Sequence, residues 1–421
     1  MKRRITALLL ALAMLVLGAV GALADDEEAS AAAQTAPPDA TGTLSFENLG
    51  ARMLTGSQTL LALEESISAI GSINYDELEE ELRLSINQLS ELQWSMQSMA
   101  LPSTGNDMID AALGGMASMM GQSAAASLSQ QYNACRSTFD AIRNGKLQKD
   151  NGDLIRQLKN SENTILMMGD TMYITLLGLE ETSAALDRQS AALERTLSEL
   201  ELRYRLGQIS ALTLEQAKAG RATIESGKAS LDASIAALRR QLNSMVGEEL
   251  TAATKLNALP TVTAEQLAAL DVEKDLERAK AASYSLYAAG LTLKDADEAY
   301  SDSLRYDRDY KQPQAEHTWK AAQHTYNATV QSFELSFRSL FDSIGSYAKT
   351  LEAAKVTLEC ERADLKTAQL KYEQGTISEH SLRTAEDELR TAQDAVSGAE
   401  RDLFTAYNNY QWAVQYGLLN S

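Results

Sequence analysis

Prolines are few in this chain, five in 421 residues, and so are histidines (three), cysteines (two) and aromatic side chains (6%). Three histidines and two cysteines are too few for a zinc ribbon or an iron–sulfur site, and two cysteines make no disulfide scaffold. Basic residues are also outnumbered, 38 against 58 acidic, for a formal charge of −20. Such a field repels phosphate backbones and argues against nucleic acid as a partner. The dense carboxylates Glu77, Glu79, Glu80 and Glu81 read as a solvated helix face, and no two titratable groups are paired as an acid–base couple. His317 and His324, seven apart, and His380 read as ordinary solvated histidines. An enzyme, a cofactor and a resident metal are therefore not expected. What remains is rich in Ala, Leu, Glu, Ser and Gln, the composition of long helices.

The N-terminus reads as an export signal over residues 1–24. Lys2-Arg3-Arg4 is its positive end, Ile5 to Val20 its apolar run, and Ala22-Leu23-Ala24 its small-x-small cleavage site. The alternative is an uncleaved anchor, but roughly 16 apolar residues fall short of the about 20 that a span needs. No Cys follows the run, so a lipid anchor is not expected, and no later stretch is apolar enough to span as a helix. The mature protein is expected outside the cytoplasmic membrane.

Proline positions divide the rest. Pro37 and Pro38 lie in an acidic, Ala/Ser/Thr-rich segment, 25–43, which reads as a flexible tether. Pro102 opens a Gly/Met/Ser/Ala-rich stretch, 103–127. Pro260 sits in a connector, 248–270, and Pro313 in a short polar break, Tyr306 to Gln314. No Pro interrupts 103–259 or 314–421, and since an interior Pro costs a helix about 3 kcal/mol, these runs are free to be very long helices.

The last run shows how such helices pack. Leu382, Leu389, Val396, Leu403 and Tyr410 recur every seven residues, and Ala385, Ala392, Ala399, Ala406 and Ala413 follow each by three. This is a heptad seam in which an Ala row admits a neighbouring helix and a large row fills the groove. A second seam runs through Ala217, Ile224, Leu231, Ile235, Leu238, Leu242 and Met245. The fold class these seams predict is all-α, built of long antiparallel coiled-coil hairpins.

An internal repeat is the strongest signal. Leu202-Arg203-Tyr204-Arg205-Leu206-Gly207-Gln208-Ile209-Ser210 is matched by Leu370-Lys371-Tyr372-Glu373-Gln374-Gly375-Thr376-Ile377-Ser378, at an offset of 168 that continues through Leu214/Leu382 and Ala217/Ala385. The matched positions spell a tight helix–helix turn. Gly207 and Gly375 suit the left-handed residue after a helix end, and Ser210 and Ser378 suit the N-cap of the next helix. Ile209 with Leu214, and Ile377 with Leu382, have the spacing of a hydrophobic staple. A weaker pair opens the two halves, Leu44-Ser45-Phe46-Glu47-Asn48-Leu49 and Asp271-Val272-Glu273-Lys274-Asp275-Leu276. The chain thus reads as a tandem duplication, 44–247 with the insertion 103–127, then 271–417.

At these residues the sequence resembles the TolC-like outer-membrane efflux protein family. That family carries such a duplication, with a Tyr/Phe-x-x-Gly-x-x-Ser/Thr-x-x-x-Leu-x-x-Ala turn in each half. Here the turns are Tyr204/Gly207/Ser210/Leu214/Ala217 and Tyr372/Gly375/Ser378/Leu382/Ala385. The resemblance implies a homotrimer whose hairpins form a hollow cylinder in the cell envelope, at an outer membrane. It implies an export duct fed by an inner-membrane transporter, through an adaptor protein docked at the hairpin tips. The tip residues it assigns are Tyr204, Gly207, Ile209, Ser210, Leu214, Tyr372, Gly375, Ile377, Ser378 and Leu382. The alternative, of a different class, is a non-conducting extracytoplasmic coiled-coil scaffold that keeps the adaptor contacts.

Three departures from the family stand out. Its barrel strands should be alternating runs of about 9–11 residues; neither 103–127 nor Tyr306–Gln314 offers them, so little or no β-barrel is expected. Thr213 and Ser381 stand where the family often has Asp. Gly56-Ser57 and Ser283-Tyr284 stand near its Asn-Pro. The Met-rich part of the insertion, 108–120, has three readings: a membrane-dipping segment, a soft-metal site, or plainly a loop or Met-packed helix. Cys135 and Cys360 lie about 108 Å and about 22 Å from their tips along straight helices, too unequal for a bond unless the first half folds back near Gly145 to Gly152.

Overall fold

A computed structural model describes residues 39–40, 42–97, 128–306 and 311–419. The export segment, most of the tether and the Met-rich insertion lie outside the described residues. The described chain forms two compact units, one reaching to Ala62 and resuming at Asn160, the other Leu63–Lys159.

Nearly all of it is helical. Strand β1 (Thr43–Leu44) leads into α1 (Phe46–Gly56), α2 (Gln58–Gly71), α3 (Tyr75–Gln97), α4 (128–143), α5 (Lys146–Arg205) and α6 (Ala211–Met245). Strand β2 (Lys255–Leu256) and α7 (Ala264–Ala268) follow, then α8 (Val272–Ala282), α9 (Tyr284–Tyr306), α10 (Gln312–Glu373) and α11 (Glu379–Tyr416). β1 and β2 pair in parallel, Thr43 with Lys255 and Leu44 with Leu256, and among the described residues they are the only sheet. No helix among these residues is long and apolar enough to cross a membrane.

The 60 and 62 residues of α5 and α10 are uninterrupted by proline. Pro313 falls in the first turn of α10, where its missing N–H has no helical partner to lose. The connector is more ordered than its sequence suggests: it holds β2, and α7 is opened by a reciprocal cap between Thr263 and Gln266. At the end of the expected tether, the Asp39 carboxylate accepts from the Ser45 amide (3.0 Å) and the Asn48 side chain (3.1 Å).

In the first unit, burial along α11 grades from its tip to its base. Leu382, Ala385 and Leu389 are half-buried, whereas Leu403, Ala406, Tyr410 and Ala413 are buried. They join Leu276 and Ala279 of α8 and Phe333, Phe337 and Ile344 of α10 in one apolar core. Ion pairs then link the long helices side by side. α6 meets α5 through Arg239–Glu180, Lys228–Asp187 and Arg221–Glu194. α11 meets α10 through Lys355–Glu400 (3.8 Å).

The two hairpins are joined by a ladder. Glu181 pairs with Arg401, Arg188 with Asp394, and Arg195 with Asp387, so each seven-residue step along α5 is matched by seven residues back along α11. Such pairs are worth about 0–1 kcal/mol each at half-exposed positions. Their consequence is register, with the helices linked in the order α6, α5, α11, α10.

The second unit has a small core of Ile86, Cys135 and Phe139, flanked by Leu82, Leu89 and Tyr132. The chain turns at Gly145 (φ 69°) before α5 begins, so the straight-helix path from Cys135 does not hold. Cys135 is buried, which pushes its thiol pKa up, while Cys360 is exposed.

Candidate functional site

The two expected tips are present and built alike. At the first, the Gly207 amide donates to the Tyr204 carbonyl and the Gln208 amide to that of Arg203, both at 2.9 Å, with Gly207 at φ 71°. At the second, the Gly375 amide donates to Tyr372 (2.8 Å) and the Thr376 amide to Lys371 (2.9 Å), with Gly375 at φ 70°. This paired bonding closes a helix end on a left-handed residue. Ser210 and Ser378 then accept from the amides of Thr213 and Ser381, both at 3.2 Å. The hydroxyls of Thr213 and Ser381 lie 3.0 and 3.1 Å from the capping oxygens. At these two positions, where the resembled family often has Asp, a hydroxyl stands beside the cap.

Both tips leave large apolar side chains open to water among charged and polar ones. Tyr204, Leu206 and Leu212 of the first and Leu370 and Tyr372 of the second are all more than two-fifths exposed. Leu214 is buried; Ile209, Ile377 and Leu382 are half-buried; Ser210 and Ser378 are exposed. No side chain lies within 4 Å of where a Cβ would stand on Gly207 or Gly375. His317, His324 and His380 are exposed, and no metal-holding group occurs among the described residues.

A second matched pair, not foreseen as a joint, lies at the base of the hairpins. Each half opens with an 11-residue helix that breaks at a buried serine, Ser57 (φ −77°, ψ 116°) or Ser283 (φ −69°, ψ 117°). Gly56-Ser57 and Ser283-Tyr284, which stand near the Asn-Pro of the resembled family, fall at these breaks. Each half also ends on a left-handed glycine, Gly247 (φ 73°) or Gly417 (φ 64°). That glycine seats on the break: a Cβ on Gly247 would stand 2.7 Å from the Cα of Gly56, and one on Gly417 2.3 Å from the Cα of Ser283. Gly56 itself lies against the Val246 carbonyl, where a Cβ would come to 2.2 Å.

Polar side chains lock the same region. Asp170 of α5, buried, accepts from Trp412 Nε1 (2.8 Å) and Asn408 Nδ2 (3.0 Å) of α11. Burial raises its pKa, and the two hydrogen bonds act against that shift. The Tyr173 hydroxyl, fully buried, lies 2.9 Å from the Leu44 carbonyl and 2.8 Å from that of Asn257, tying α5 to the strand pair. Tyr410 donates to Asp275 of α8 at 2.9 Å.

Two long hairpins, two tips built alike and two matched basal joints make up a fold that is similar to that of solved structures. The outer-membrane channel OprN has a TM-score of 0.50 at 14% identity, over 88% of this chain and 90% of its own. Its fold is the fold of this chain. The outer membrane protein VceC from Vibrio cholerae matches over 88% of this chain and 96% of its own, at 14% identity and a TM-score of 0.46. A membrane protein from Pseudomonas aeruginosa covers 88% and 90%, at 13% identity and 0.47. No protein-family model and no curated protein matches the sequence. The resemblance to the TolC-like family read from the two turns thus extends to the fold, with the sheet among the described residues reduced to β1 and β2.

Proposed function

We propose that this chain is the subunit of an export duct in the cell envelope. After removal of residues 1–24, the repeats 44–247 and 271–417 assemble as a homotrimer whose hairpins enclose a hollow cylinder. The cylinder passes substrates outward from an inner-membrane transporter. An adaptor protein docks at the tips, on Tyr204, Gly207, Ile209, Ser210 and Leu214 of one hairpin and Tyr372, Gly375, Ile377, Ser378 and Leu382 of the other. No reaction is catalysed. One observation carries the reading: paired hairpins with capped tips built alike, on the helical fold of an outer-membrane channel.

The tips suit such a contact because their backbone is fixed by caps while large apolar side chains stay in water, a combination typical of a docking surface. Electron microscopy of the purified chain from Asp25 to Ser421 tests the proposal. Particles with a lumen along their long axis are expected. Solid rods would replace the duct by the non-conducting scaffold.

A further inference from the structure

The two tips share a backbone and differ in what they present. Position by position across the offset of 168, Arg205 stands against Glu373, Leu206 against Gln374 and Leu212 against His380. All six side chains are exposed. Leu206 and Leu212 are the most open apolar side chains of the tips, 63% and 67% in water, and neither has an apolar equivalent at the second tip. Two open leucines on one cap-fixed turn are apolar surface that the fold does not use, a feature of docking sites.

Charge divides the tips in the same way. From 203 to 212 the first turn holds two arginines and no carboxylate, whereas from 371 to 380 the second holds Lys371 against Glu373 and Glu379. Much of the charge around them is already taken: Arg203 is paired with Glu199, Glu215 with Lys218, and Glu379 with Arg383. Arg205 donates its Nε–H to the Glu201 carbonyl (3.4 Å), and neither Arg205 nor Glu373 enters an ion pair among the described residues. Glu201 stands one helical turn before Arg205, and Lys371 two residues before Glu373, so each open charge has an opposite one near it without being paired to it. Like backbones thus end in a cation beside leucines at one tip, and in a carboxylate beside an amide and an imidazole at the other.

We propose that the tips are unequal docking sites for the adaptor's helical hairpin. The first tip buries an apolar side chain of the partner against Leu206 and Leu212, with a partner carboxylate on Arg205. The second tip makes a polar contact, with a basic partner group at Glu373. Apolar burial at one tip supplies affinity, and the opposite charges of the two tips fix which way round the partner sits, because a reversed partner sets like charges together. This rests on the docking reading above and adds to it the partner's chemistry at each tip.

Synthetic helical hairpins test it, identical except for two residues at their turn: Leu-Glu, Leu-Lys or Ser-Glu. Their binding to the chain from Asp25 to Ser421 is read by fluorescence anisotropy at low salt. The Leu-Glu probe is expected to bind about fivefold to tenfold tighter than either of the others. Arg205→Glu is expected to make Leu-Lys the better probe. Leu206→Gln with Leu212→His, which gives the first tip the residues of the second, is expected to bring Leu-Glu down to the level of Ser-Glu. Glu373→Arg is expected to leave the Leu-Glu affinity unchanged. All these positions are exposed, so circular dichroism should be the same for every variant. Equal responses to Arg205→Glu and Glu373→Arg, or no preference among the three probes, overturn the proposal and leave adaptor docking at the tips in place. Undiminished Leu-Glu binding by a chain carrying both Gly207→Val and Gly375→Val removes the tips, and both readings with them.

Discussion

Gly207 and Gly417 both hold a left-handed backbone, at φ 71° and 64°, but for different reasons. Gly207 turns the chain in open space, so Gly207→Ala is expected to cost the about 1–2 kcal/mol of a left-handed L-residue. Gly417 turns the chain and also admits the Ser283 backbone, so Gly417→Ala adds an overpacking cost, for about 2–5 kcal/mol in all. Urea midpoints of the two variants check this; equal losses would show that the base joint is not close-packed. The tip glycine was legible in the sequence because a repeated Tyr-x-x-Gly-x-x-Ser names its own turn. The basal glycine was not, because its partner is remote in the chain and its need appears only once the helices are docked. Asp170 was equally hidden, a carboxylate indistinguishable in sequence from the solvated ones. Its pKa is raised in the folded state by burial, so the folded chain still holds a proton that the unfolded chain has released above the usual carboxylate range. Its contribution to stability therefore falls as pH rises through the raised pKa, and is level beyond it. Asp170→Asn keeps an oxygen for Trp412 and Asn408 and removes that limb. The difference in urea midpoint between about pH 4 and about pH 7 should change in the variant by the loss of this one group. An unchanged difference would place Asp170 among ordinary carboxylates.

At the scale of elements, the Leu/Ala heptads of α11 announced a packed helix, and the structure buries them most where α8 and α10 close over them. The sequence was silent on which hairpin faces which. The rungs Glu181–Arg401, Arg188–Asp394 and Arg195–Asp387 join residues on separate helices, and no local pattern distinguishes their charges from solvated neighbours. Asp394→Arg, which sets two arginines together, is expected to lower stability by about 0.5–1 kcal/mol, and adding Arg188→Asp to restore most of it. A denaturant double-mutant cycle reads the coupling; additive losses would mean that the ladder follows the register and does not set it. The connector taught the same lesson in miniature. Its composition read as a link between halves, while Thr263 and Gln266 three residues later are a reciprocal cap that opens α7.

At the scale of the whole molecule, the proposed duct needs both a docking surface and an assembly of several chains. The tips and the assembly make separable demands. Gly207→Val with Gly375→Val places β-branched residues at two left-handed positions, and is expected to abolish adaptor binding in a pull-down while leaving the assembly's mass unchanged. Retained binding would remove the tips from the docking surface. The fold class, the hairpins and their turns could be read from periodicity and repetition; the assembly came only as what the family resemblance implies, because no residue pattern states how many copies associate. The most direct measurement is therefore the solution mass of the chain from Asp25 to Ser421, by light scattering after size exclusion, with and without detergent. The account predicts the mass of three chains, the detergent arm showing whether a lipid-like surface is needed to hold them. A single-chain mass in both arms would contradict it.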